Sequence, residues 1–138
     1  MKRLVVYILS AATVASMWSC KKEERKVIFV GGTAPVATAS VSDSVPLSYA
    51  TQADEAFLLS WTNPNYQFNT GISSLDVNYT IEIDTSGSNF TNPGREVLSA
   101  GTALSEDFSQ SQFNDYLLNQ LQLKPAMSHN MEIRVTAS

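Results

Sequence analysis

Three stretches of the chain alternate apolar and polar residues with a period of two, the spacing of a strand with one buried face. In "AFLLSWT", Phe57, Leu59 and Trp61 share one side, and Leu58, Ser60 and Thr62 share the other. "LDVNYTIEID" is the clearest strand: Val77, Tyr79, Ile81 and Ile83 point one way, while Asp76, Asn78, Thr80, Glu82 and Asp84 point toward solvent. In "HNMEIRVTAS", Met131, Ile133 and Val135 face inward, between Glu132, Arg134 and Thr136. Shorter, weaker strands are expected around residues 96–100 and 103–108. The period then changes. In "SQSQFNDYLLNQL", Phe113, Leu117 and Leu121 recur every four residues with Tyr116 alongside, which predicts a helix. Ser109 with Gln112 three residues on predicts a capping box, and Lys124-Pro125 a stop. "TNPNYQFNTG" reads as a loop from its Asn-Pro and closing Gly71, and "TSGSN" as a turn. Residues 27–48, broken by Gly31-Gly32 and Pro35, read as a linker leading into the first edge strands.

Strands separated by turn signals, with one helical segment among them, predict an all-β, immunoglobulin- or fibronectin-III-like sandwich with one short helical crossover. A sandwich of this kind continues with one more pairing strand after "MEIRVTAS". The domain is therefore expected to be incomplete at the C-terminus, cut before its last strand.

The N-terminus has a different pattern. Lys2 and Arg3 precede an apolar run of 14 residues, Leu4 to Met17. That is shorter than the roughly 20 residues a membrane-crossing helix needs, and it reads as a signal peptide. The only cysteine, Cys20, follows the small Ser19. The stretch resembles a bacterial lipoprotein signal, which implies a diacylglycerol thioether on Cys20 as the first mature residue. Met17 stands where such signals usually carry leucine, and Trp18 is bulky for its place. "KKEER" follows, and resembles the surface-export signal of Bacteroidetes lipoproteins. The expected organisation is a signal peptide at 1–19, a lipidated tether at 20–33 and a sandwich at 34–138.

Charge sharpens this division. Of nine Lys and Arg residues, six lie within the first 26 positions. From Val27 onward, Arg95, Lys124 and Arg134 stand against eleven acidic side chains. An acidic body repels phosphate backbones, so no nucleic-acid partner is expected. At 43% hydrophobic and 16% charged residues, the composition is that of one folded domain.

"AFLLSWT", "VNYTIEIDTSGSNF", "EVL", "FNDYLLNQLQLKP" and "MEIRVTA", in that order, resemble the N-terminal domain of SusE-type outer-membrane lipoproteins of starch-utilisation-like systems. The resemblance spans about residues 20 to 138, and order and spacing carry it. It implies a string of sandwich modules in which the first is a spacer or docking module and later ones, absent here, bind glycan. The implied partners are the outer membrane through the lipid anchor, a TonB-dependent transporter and its partner lipoprotein. An alternative reading is the accessory sandwich of a lipid-anchored secreted glycoside hydrolase. Further sandwiches or a catalytic barrel downstream would separate the two.

Candidate chemistry is sparse. His129 has no second histidine or free cysteine to complete a metal site or triad, and is expected at a strand end. Asp76, Glu82 and Asp84 could pair as in glycoside hydrolysis, but a solvated sheet face accounts for them. "DTSGSN" lacks calcium-loop spacing. No catalytic residues, metal or cofactor are expected. Trp61, Tyr66 and Phe68 bracket an amide-rich loop and form the one credible glycan constellation. Trp61 is expected in the core, leaving Tyr66 and Phe68 as weak glycan-binding candidates. Asp43-Ser44-Val45 resembles a Bacteroidetes O-glycosylation motif and makes Ser44 a modification candidate.

Overall fold

The computed structural model describes residues 24–138. The expected signal peptide, Cys20 and most of the "KKEER" stretch lie outside the described residues. Among the described residues, nine strands form three small antiparallel sheets, and together they bear out the all-β sandwich. One sheet joins β2 (Ala37–Ala39), β3 (Glu55–Trp61) and β8 (Ser105–Ser109) in the order β2-β3-β8. The second joins β6 (Tyr79–Thr85), β7 (Glu96–Gly101) and β9 (Met131–Ala137) in the order β7-β6-β9.

These two sheets enclose the core. Phe57, Leu59 and Trp61 of β3 and Phe108 of β8 meet Tyr79, Ile81 and Ile83 of β6 and Val135 of β9. Every residue that period-two spacing placed inward on β3 and β6 is buried, because a strand must put alternate side chains on one face. Aromatic contacts act within and between the layers: Phe57 stacks on its cross-strand neighbour Phe108 at 4.9 Å, and Trp61 tilts against Tyr79 of the other sheet at 5.7 Å. Such pairs add about 0.5–1.5 kcal/mol beyond their burial.

The third sheet was not foreseen. Within "TNPNYQFNTG", expected as a loop, β4 (Gln67–Phe68) pairs with β5 (Gly71–Ile72) around a short turn. Gly71, at φ 122°, takes a backbone conformation that side-chain-bearing residues avoid. β1 (Phe29–Gly31) pairs with β4, so pairing begins inside the stretch expected as tether. Two-residue strands carry too little alternation to be read from a sequence.

The helical segment is split. α1 (Gln110–Asp115) is capped by the Ser109 side chain, which accepts from the Gln112 N–H at 3.2 Å. The reciprocal half of the capping box is missing, since the Gln112 amide donates to the Tyr116 hydroxyl at 2.6 Å instead. Residues Tyr116–Gln120 widen into a π-helical turn. Gln122, at φ 52°, then reverses the chain, and the Leu123 N–H closes on the Leu117 carbonyl at 2.9 Å. The helix thus ends before the Lys124-Pro125 stop. Gly94 packs against this end, where a Cβ would lie 2.8 Å from the Gln120 carbonyl oxygen.

Candidate functional site

The acidic face of β6 is the first place where the structure departs from expectation. Glu82 and Asp84 are buried, at 8% and 0% exposure, not solvated; only Asp76 is exposed. Glu82 is held from both sides. On β9, Arg134 donates to Oε2 from Nε at 2.8 Å, and its Nη2 makes an ion pair with the same oxygen at 2.5 Å. Arg95, beside β7, donates to Oε1 at 2.9 Å. Burial alone would push the Glu82 pKa up, but the hydrogen bonds and charges of Arg134 and Arg95 outweigh it and hold the carboxyl below the usual range. Arg134 also lies over the Phe90 ring at 4.2 Å. Asp84 serves the turn that follows it. Its Oδ1 accepts from the Thr85 N–H at 2.7 Å and its Oδ2 from the Asn92 N–H at 3.3 Å. Both carboxylates hold the chain's own geometry.

The aromatic set is divided. Trp61 is 5% exposed, in the core, as its place on the β3 face requires. Tyr66 and Phe68 are half-buried and both pack edge-on against Phe29, each at 5.7 Å. The Tyr66 hydroxyl donates to the Ala137 carbonyl at 3.2 Å. Gly32 makes room for this ring, since a Cβ there would fall 2.5 Å from a Tyr66 ring carbon. Two of the four amide side chains of the loop, Asn63 and Asn69, are also committed. Asn63 Oδ1 accepts from the Asn65 N–H at 2.8 Å. Asn69 binds residues near the start of β1, accepting from the Ile28 N–H at 3.0 Å and donating to the Lys26 carbonyl at 2.9 Å. The sequence showed aromatic and amide residues together, but not that their partners would be other parts of the chain.

The remaining candidates lie apart. Ser44 is exposed on the segment that follows β2, with Val45 beside it anchored on the core. His129 sits just before β9, its Nε2 2.9 Å from the Lys124 carbonyl oxygen. No group of three His, Cys, Asp or Glu residues suited to a metal ion occurs among the described residues. No helix of the described residues is long and apolar enough to cross a membrane.

Two grooves flank β9, and neither was anticipated. One, of about 1040 Å³, runs between residues 39–47, α1 and the start of β9. The other, of about 630 Å³, runs between β1, residues 32–35, Tyr66 and the end of β9.

Fold and surface together define a β-sandwich module in which Glu82, Asp84 and two loop amides, Asn63 and Asn69, are bound within the chain itself. The sequence profile of the SusE outer membrane protein family matches residues 22–136, and the chain belongs to that family. It is an outer membrane protein with a surface role in a Sus-like system, which entails membrane association and partner components. The family is one of surface carbohydrate-binding lipoproteins. No curated protein and no solved structure matches the chain.

Proposed function

We propose that this chain is the membrane-proximal module of a glycan-capture and uptake complex, a spacer or docking unit that binds no oligosaccharide itself. A lipid on Cys20 anchors it, and the residues between Cys20 and β1 form a short tether. A TonB-dependent transporter and its partner lipoprotein are the neighbours that the reading implies, with glycan held by other modules.

The observation that supports this reading is the commitment to the fold of the three aromatic rings of the one sugar-like constellation and of two of its amides. Sugar recognition needs an open aromatic face with unsatisfied amides around it. Here Trp61 is buried, Tyr66 and Phe68 lean on Phe29, and Asn63 and Asn69 are bonded to backbone. Calorimetry of the full chain in detergent against maltooligosaccharides and other glycans is expected to show no saturable heat. Saturable binding that disappears in Tyr66→Ala or Phe68→Ala, with the fold intact, would overturn the spacer reading.

A further inference from the structure

The sheet formed by β1, β4 and β5 has two unlike faces. Phe29 and Phe68 are cross-strand partners whose rings meet edge-on, and Tyr66 meets Phe29 in the same way. The Tyr66 hydroxyl bonds the Ala137 carbonyl, so this face is turned to the end of β9. Alternation sends the neighbouring side chains the other way. Ile28 and Val30 flank Phe29, and Gln67 precedes Phe68 and pairs with Ile72. Ile28 still belongs to the ladder, because its carbonyl accepts from the Asn69 N–H at 2.9 Å. The second face therefore carries Ile28, Val30, Gln67 and Ile72, and all four are exposed.

That exposure is large. Ile72 is 72% exposed, and Val27, Ile28, Phe29 and Val30 are each more than half exposed. Four consecutive large apolar residues left in water work against solubility unless something covers them. Charge is missing here as well. Residues 27–42 and 56–75, which include all three strands, contain no Asp, Glu, Lys or Arg. All eleven acidic side chains beyond Val27 lie outside those two segments. Covering this face takes no ion of the sheet out of water.

What covers it follows from the start of the chain. Six residues separate Cys20 from Val27, and even fully extended that path spans at most about 25 Å. Four of the six are cations, Lys21, Lys22, Arg25 and Lys26, against Glu23 and Glu24. We propose that the exposed face of the β1-β4-β5 sheet rests on the lipid surface of the outer membrane, beside the acyl chains on Cys20. The inference rests on the anchor proposed above and gives the spacer an orientation. Anionic headgroups attract the cations of residues 21–26. The same surface repels the eleven carboxylates, which turns the uncharged sheet toward it in preference to the rest of the module. Contact is shallow. β1 and β5 are the outer strands of their sheet, and their unpaired N–H and C=O groups need water, which the headgroup region holds and the hydrocarbon core does not. Ile28, Val30 and Ile72 then do what the apolar side of an interfacial helix does.

The test places one fluorophore at either end of the module in the full acylated chain. Gln67→Cys puts the label on the proposed contact face. Ser86→Cys puts it beyond the far end of β6, about 20 Å along the strand from the Tyr79–Ala137 pair. The chain has one cysteine of its own, and a thioether on Cys20 leaves the introduced thiol as the one that labels. The proteins are reconstituted into phosphatidylethanolamine–phosphatidylglycerol vesicles that carry a nitroxide high on the lipid acyl chain. Quenching at position 67 is expected to exceed that at position 86 at least about fivefold, because an interfacial contact lies within about 5–10 Å of the headgroup boundary. Ile28→Ser, Val30→Ser and Ile72→Ser together should lower it to the level at position 86. Equal quenching at the two positions, in chains that float with the vesicles, would overturn the proposal and leave the anchor standing. A face reserved for a protein partner would give that result. Undiminished quenching in the serine variant would overturn it too. Two labels per chain, on chains that do not float, would remove the anchor and the proposal with it. The comparison of positions 67 and 86 keeps every apolar side chain, so it holds even if the serine variant fails to fold.

Discussion

Replacing Glu82 with glutamine isolates the ionic staple that fastens β9 to the rest of its sheet. The substitution keeps shape and volume and removes the charge. Two charge-assisted hydrogen bonds converge on the carboxylate, at 2.9 Å from Arg95 and 2.8 Å from Arg134, and Arg134 Nη2 adds an ion-pair contact at 2.5 Å. Breaking a fully buried ion pair costs about 3–5 kcal/mol, most of it from the stranded partner charge. Here the stranded groups are not fully buried: the Arg95 and Arg134 side chains keep 33% and 43% of their exposure and can rehydrate. The expected loss is therefore smaller, about 2–3 kcal/mol, or a fall in Tm of roughly 8–12 °C for a domain of this size.

The pH dependence gives a second, independent mark. The folded-state pKa of Glu82 is depressed, so its stabilisation is complete above the unfolded glutamate value and disappears as pH falls through the lower folded value. Thermal melts of wild type and Glu82→Gln should differ by a constant amount near neutrality and converge in acid. A double-mutant cycle with Arg134→Met should return most of the loss as coupling. A neutral-pH difference below about 0.5 kcal/mol, in the range of an ordinary surface substitution, or one that persists unchanged into strong acid, would refute the staple.

Phe108→Ala removes a ring with no exposed surface that touches Phe57, Phe113 and Tyr116, and so links β8, β3 and the helix. Urea titration should report a loss of about 3–5 kcal/mol, and a loss under about 1 kcal/mol would mean the core is not continuous there. Cys20→Ser should move the protein from the membrane to the soluble fraction and abolish labelling by a palmitate analogue, because stable attachment needs two or more acyl chains. Unchanged partitioning would remove Cys20 as the anchor.

The buried face of the sandwich was legible because strand period is a hard geometric constraint. Phe57, Leu59 and Trp61, then Val77, Tyr79, Ile81 and Ile83, could hardly be arranged otherwise. The reverse inference failed at Glu82 and Asp84. Position on the polar face of a strand predicts solvent only where nothing crosses that face. Arg134 and Arg95 lie 52 and 13 residues from Glu82, and no local pattern announces that they converge on it. Asp84 is hidden by the turn it organises, whose Asn92 lies eight positions away. The β1-β4-β5 sheet escaped notice for a related reason: its pairing joins Phe29 to Phe68 across a long separation, with almost no alternation in either strand.

That staple also changes the electrostatic account of the module. Beyond Val27 the chain has only three cations, and two of them, Arg95 and Arg134, are drawn onto Glu82. Lys124 alone then faces the other ten acidic side chains of that stretch. The basic residues of the first 26 positions flank the proposed anchor instead. At physiological salt such fields fade over about 8 Å, so they act only on what lies close by. An anionic membrane surface would attract the lysines beside Cys20 and repel the sandwich beyond them. The tether would then be pulled down while the module is held off, an asymmetry that supports its reading as a spacer.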